Sequence, residues 1–317
     1  MEEKRINKWL RRQFSPVGWT LVVYNAILNL LVIAAMALDA AAAYLRSFAA
    51  GNFLPEPDVD ALMGNAWGYI LAIVAGLAIL YAWKGSDYWR EEICKKEAKM
   101  TASAFFCLLV LIAGAQMVSS LWIGTLETIM NQFDRSVLDF LESVSGDSNT
   151  FSMFLYSAIL APVSEEILFR GYVLRSLRPY GKRFAIFGSA LLFGLFHGNL
   201  LQAPYAFLAG LVLGYAAAEY SILWSVLLHM FNNLVMADLM TRLLDLLPEM
   251  AADIVSGCIF GAFAIAAVVL LIVKRRDVKA YRKGEWMDRR CIKCFFASSG
   301  VIVLMVMMCI SMLSLFV

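Results

Sequence analysis

Ala161-Pro162-Val163-Ser164-Glu165-Glu166-Ile167-Leu168-Phe169-Arg170-Gly171 places three charges inside a run that is otherwise mostly apolar from Phe151 to Val173. The flanks are long enough to put this stretch within a membrane. Each ionised side chain there costs about 2.5–3.5 kcal/mol on insertion scales, and a cost of that size marks a functional site with partners close by. Glu166 and Arg170 are four apart, on one helical face and in the favourable acid-before-base order, so each can neutralise the other. Glu165 lies about 100° further round the helix and has no local partner. Pro162 lacks an N–H, so it either kinks this helix or begins a fresh one just before the carboxylates. An ion pair that merely joins helices would account for Glu166 and Arg170 but not for Glu165.

The rest of the chain agrees with a membrane setting. Its 317 residues are 61% hydrophobic and 16% charged, with a mean hydropathy of +0.71. That composition excludes a soluble globular domain and predicts an all-α, polytopic membrane helix bundle. Apolar segments are expected near Val17–Leu38, Gly64–Trp83, Thr101–Leu126, Phe151–Leu174, Phe184–Asn199, Ala203–Ala218, Ser221–Met240, Ile254–Val273 and Phe295–Val317. This gives about eight or nine transmembrane segments. Three regions follow: N-terminal membrane helices over 1–150, a core over 151–242 that carries the motifs, and C-terminal membrane helices over 243–317. The basic, polar start up to Ser15 and the long apolar run after it do not read as a cleavable signal peptide.

Charge orients the segments. All but four of the 27 Lys and Arg fall in the stretches 1–16, 84–99, 175–183 and 274–293. Alternating nine segments from a cytoplasmic N-terminus puts all four stretches inside, as the positive-inside rule asks. Arg46, Arg135 and Arg242 fall in acid-rich outer loops, among residues such as Glu56, Asp58, Asp60, Asp139, Glu142, Asp147 and Asp245. The expected location is the plasma membrane, multi-pass, with the basic loops cytoplasmic. Cys291 and Cys294 form a lone C-x-x-C with no second pair at ribbon spacing, which does not read as a zinc site.

Only two histidines occur, His197 and His229, both in apolar segments. Phe193 and His197 are four apart, as are His229 and Asn233, so each pair shares a helical face. At 1.5 Å per residue, Glu165, His197, His229 and Asn233 lie about 15–21 Å from the basic boundary. Three helices thus bring a carboxylate, two imidazoles and an amide to similar depth. A carboxylate with a histidine can hold and deprotonate water. A second histidine and an asparagine can donate hydrogen bonds to an oxyanion. No G-x-S-x-G, H-E-x-x-H or P-loop is present. Asn232 is expected to point away from Asn233, Asn25 and Asn29 to join helices, and Glu219 to be solvated. Gly210 and Gly214 have small-xxx-small spacing for close helix contact.

At these residues the chain resembles the CAAX prenyl protease family, the CPBP or Abi type of intramembrane peptidase. That family carries E-E-x-x-x-R, F-x-x-x-H and H-x-x-x-N/D on successive helical segments, matched here by Glu165, Glu166 and Arg170, by Phe193 and His197, and by His229 and Asn233. The match covers roughly 151–240. The turn Ala218-Glu219-Tyr220-Ser221 departs from the Thr-Gly found there in many members. The resemblance implies an endopeptidase cutting near the C-terminus of a membrane-associated, CAAX-like and possibly prenylated substrate. By carry-over, Glu165 and His197 activate water, His229 and Asn233 hold the oxyanion, and Glu166 and Arg170 are structural. The expected partners are a peptide or membrane-protein substrate and the lipid bilayer, with no nucleic acid. No cofactor is expected; the alternative is zinc on Glu165, His197 and His229. Competing readings are a non-catalytic scaffold or immunity-type protein that binds through the same cavity, and a transporter, against which the missing repeat symmetry counts.

Overall fold

A computed structural model describes residues 2–51, 64–137, 150–284 and 288–313. The acidic residues Glu56, Asp58, Asp60, Asp139, Glu142 and Asp147 lie outside the described residues. In chain order the helices are α1 (Glu2–Ala49), α2 (Trp67–Ile93), α3 (Ala102–Phe133), α4 (Phe151–Tyr180), α5 (Lys182–Phe196), α6 (Ala203–Glu219), α7 (Ile222–Leu244), α8 (Glu249–Val273), α9 (Arg275–Gly284), α10 (Arg289–Phe296) and α11 (Ser299–Met312). Local chemistry sets several ends. Thr101 and Thr150 accept hydrogen bonds from the third residues of α3 and α4, the ordinary N-cap arrangement. Gly181 and Gly198, both at positive φ, turn the chain between α4, α5 and α6, where a side chain would be strained.

The polytopic helical architecture is as expected, but the number of spans is lower. Among the described residues six helices, α1 to α4, α7 and α8, are long and apolar enough to cross a membrane, and a seventh span results if α10 and α11, bent by 63°, count as one. The expected eight or nine fails at α5 and α6. With 15 and 17 residues they extend about 22 and 25 Å at 1.5 Å per residue, short of a hydrocarbon core of about 30 Å.

The four basic stretches meet at one end of the bundle. Arg178 lies 3.0 Å from Glu97 and Lys182 2.9 Å from Glu219. Arg183 donates to the Arg282 carbonyl and Tyr281 to Glu219, so Glu219 is partnered rather than solvated. Glu3 faces Arg290, and Trp9 stacks near Tyr180. At the opposite end Asn65 donates to Asp39 and Trp122 to the Leu200 carbonyl.

Between the ends, the largest apolar core joins α1, α4, α5, α10 and α11, with Phe14, Tyr180, Phe184 and Phe295 ring against ring. Cys291 and Cys294 are free thiols buried in this core. A second core joins α3 and α6 to Leu228 of α7. Gly210 is what lets α6 approach α5: a Cβ there would sit 3.1 Å from the Ala190 Cα and from the Phe193 ring. Asn25 and Asn29 do not join helices; Asn29 donates back to the Asn25 carbonyl and side chain one turn earlier.

Candidate active site

Helix α4 carries the carboxylates without breaking at Pro162. The lost N–H is absorbed by a widened π turn at Tyr156–Leu160, and a second π stretch runs over Ile167–Leu174. Such widened turns recur at functional sites. Glu166 and Arg170 are both fully buried, with Arg170 Nη1 donating to Glu166 Oε1 at 2.9 Å. Arg170 Nη2 donates to the Gly210 carbonyl at 3.2 Å, a carbonyl brought within reach by the close α5–α6 contact. The guanidinium lies 4.4 Å from the centre of the Phe193 ring, a cation–π contact that has added value where water is excluded.

Glu166 does more than neutralise Arg170. His229 Nδ1 donates to its Oε1 at 2.9 Å, and Ser225 Oγ donates to its Oε2. Ser225 sits one turn before His229 on α7 and is itself fully buried. The carboxylate therefore fixes the plane of the His229 ring and directs Nε2 toward Glu165, whose Oε2 is 3.8 Å away. Glu165 is the less buried of the two acids and lines an open cavity. The two adjacent carboxylates have opposite surroundings, as their positions about 100° apart on a helix require.

His197 follows the last turn of α5, and its Nδ1 donates to the Phe193 carbonyl at 2.9 Å. A histidine at this position caps carbonyls at a helix end. Because Nδ1 carries the proton, Nε2 is left as an acceptor. The Phe193 ring stands edge-on to both imidazoles, with centroids 4.9 Å from His197 and 5.7 Å from His229. Phe193 is thus the common wall between Arg170 and the two histidines, more than packing around His197.

On α7, Asn233 Nδ2 donates to the Ser157 carbonyl at 3.0 Å, which leaves its second amide hydrogen free of that bond. Asn232 does not point elsewhere. Its Nδ2 donates to Asn233 Oδ1 at 3.1 Å, and Tyr205 donates to its Oδ1 at 2.6 Å. The expectation used the α-helical period, whereas Asn232–Leu239 is π-helical, and the wider turn brings both amides to the same wall.

Glu165, Phe193, His197, His229, Asn232 and Asn233 all line one cavity of about 650 Å³. Sequence reasoning missed Ser225, Tyr205 and the Ser157 carbonyl. Ser225 had a signal, its spacing of four from His229; Tyr205 had none. Zinc on Glu165, His197 and His229 would need all three ligand atoms about 2.0–2.2 Å from one point. Among the described residues no three His, Cys, Asp or Glu side chains are gathered closely enough to hold a metal ion.

Fold and site together define a multi-pass helical membrane protein that buries a compensated ion pair beneath a polar cavity, on which Glu165, His197, His229, Asn232 and Asn233 converge. Residues 147–235 match the family model described as type II CAAX prenyl endopeptidase, Rce1-like. Over these residues the chain is similar to that family of membrane proteases. The match contains Glu165, Glu166, Arg170, Phe193, His197, His229 and Asn233. No curated protein and no solved structure matches the chain.

Proposed function

We propose that the chain is an intramembrane endopeptidase that hydrolyses a peptide bond near the C-terminus of a membrane-associated, CAAX-like substrate. The observation that carries this reading is the convergence of Glu165, His197, His229 and Asn233 on one cavity, within a segment that matches the Rce1-like family model.

In this reading Glu165, assisted by the free Nε2 of His197, takes a proton from water as the water oxygen bonds to the scissile carbonyl carbon. The carbonyl oxygen becomes an oxyanion. Asn233 offers it the amide hydrogen not given to Ser157. His229, whose Nδ1 proton goes to Glu166, offers Nε2–H in its doubly protonated form. The C–N bond then breaks, Glu165 returns the proton to the departing nitrogen, and the products are a carboxylic acid and an amine. Glu166 and Arg170 act as positioning residues through His229. The reaction as written needs no metal, because His229 and Asn233 supply the electrophilic side that a metal ion would otherwise occupy. We place the basic end in the cytoplasm and the protein in the plasma membrane, a reading supported by the gathering of all four basic stretches at that end.

The test is mass spectrometry of membrane-protein C-termini from cells expressing wild type or Glu165→Gln. Shortened C-termini are expected with wild type alone. Equal cleavage by the purified Glu165→Gln variant overturns the assignment of the base. Cleavage by the wild type is expected to persist in a strong chelator, and its loss with recovery on added zinc would reverse the metal-free reading.

A further inference from the structure

The cavity is polarised along the bundle. On α7 the chain starts at Ile222, beside the bridge between Lys96 and Ser221 at the basic end. The residues of α7 that line the cavity begin at His229 and continue through Thr241 and Arg242 to Asp245. Asp245 is 23 residues beyond Ile222, about 34 Å away at 1.5 Å per residue, and so at the other end of the bundle. The lining on the remaining helices obeys the same rule. Helix α3 runs away from the basic stretch that ends at Lys99, and its lining residues begin at Ile112 and continue through Gln116 and Ser119 to Ile123. Helix α5 runs away from Lys182 and contributes its far end at His197, followed by Gln202 in the turn to α6.

Toward the basic end the route is closed. Beneath His229 lie Glu166, Arg170 and Ser225, each with no exposed surface, and beneath them Leu174, Leu177 and Ala216, equally buried. Toward the other end the lining becomes polar and exposed: Gln202, Thr241, Arg242 and Asp245 all reach solvent. Among the described residues the cavity therefore opens toward the end away from the basic stretches.

We propose that this protein acts on polypeptides presented at the face opposite its basic end, so that the scissile segment descends into the cavity from the non-cytoplasmic side. Its substrates are then exported or membrane-anchored chains on that face, not cytoplasmic C-termini. The proposal rests on the peptidase reading and on the orientation given above.

Labelling separates the side of access from hydrolysis. Cys94 is an exposed native thiol at the basic end. In a background with Cys258→Ala and Cys309→Ala, Gln202→Cys and Thr241→Cys place reporters at the mouth. Intact cells treated with a membrane-impermeant maleimide should label the mouth thiols fully, while Cys94 should react only after permeabilisation. Labelling of Cys94 in intact cells, with the mouth thiols protected, overturns the proposal whatever the activity. A quenched fluorescent peptide with a free C-terminus, added outside sealed vesicles, should be cut by right-side-out and not by inside-out preparations; the reverse also overturns it. Failure of every preparation, detergent-solubilised protein included, to cut any peptide counts against hydrolysis, and the labelling pattern still decides the side of access.

Discussion

Two neighbouring carboxylates should fail in opposite ways when neutralised. Glu166 is fully buried, 2.9 Å from Arg170, and also holds His229 and Ser225. Glu166→Gln keeps the shape but leaves Arg170 as an uncompensated buried cation, which costs about 3–5 kcal/mol. Against a typical total stability of about 5–15 kcal/mol this is a large share, and thermal unfolding of the purified protein in detergent should fall sharply. Glu165 faces the open cavity with a side chain 30% exposed. Glu165→Gln should change stability by about 0.5 kcal/mol at most, while removal of a general base lowers turnover by about 10²–10⁴-fold. A paired variant sharpens the comparison. Glu166→Gln combined with Arg170→Met removes both charges, and apolar replacement of a buried ion pair is often neutral. The double variant should unfold at a temperature well above that of Glu166→Gln alone. Equal melting of Glu166→Gln and wild type, or a Glu165→Gln variant that is the less stable of the two, would refute this division of labour between the two carboxylates.

Three further outcomes follow from particular contacts. Tyr205→Phe removes the donor to Asn232, a hydrogen bond of about 0.5–1.5 kcal/mol; turnover should fall by about tenfold at most, with KM unchanged, as read from steady-state peptide hydrolysis. Gly210→Leu drives a side chain into Ala190 and Phe193 and should cost about 1–3 kcal/mol by overpacking, whereas Gly257→Leu, where a Cβ meets nothing within 4 Å, should melt like wild type. At the basic end, burial alone would push the Glu97 carboxyl up, but Arg178, Lys95 and Arg175 outweigh it and hold it below the usual carboxylate range. A depressed carboxyl stabilises the fold above its ordinary pKa and loses that contribution as pH falls through the depressed value. Glu97→Gln should therefore be less stable than wild type at pH 7 by about 0.2–1 kcal/mol, the range for exposed ion pairs. The gap should close once the pH is well below about 4, where carboxylates protonate.

The helical membrane class and the Glu166–Arg170 contact were legible in the residues themselves, because both depend on local quantities. Uninterrupted apolar length decides whether a segment can enter a bilayer, and a spacing of four fixes which side chains share a helical face. The same local rule picked out Phe193 with His197 and His229 with Asn233. It failed at Asn232, where the helix is no longer α, and it overcounted the spans, because the short lengths of α5 and α6 depend on where Gly181 and Gly198 turn the chain. Only the tertiary structure decided that Glu166 holds His229, that Ser225 and Tyr205 support the two sides of the site, and that the cavity opens away from the basic end. Those facts join residues 27 to 63 positions apart in the chain. Helical periodicity carries no information across such separations; the packing of one helix against another does.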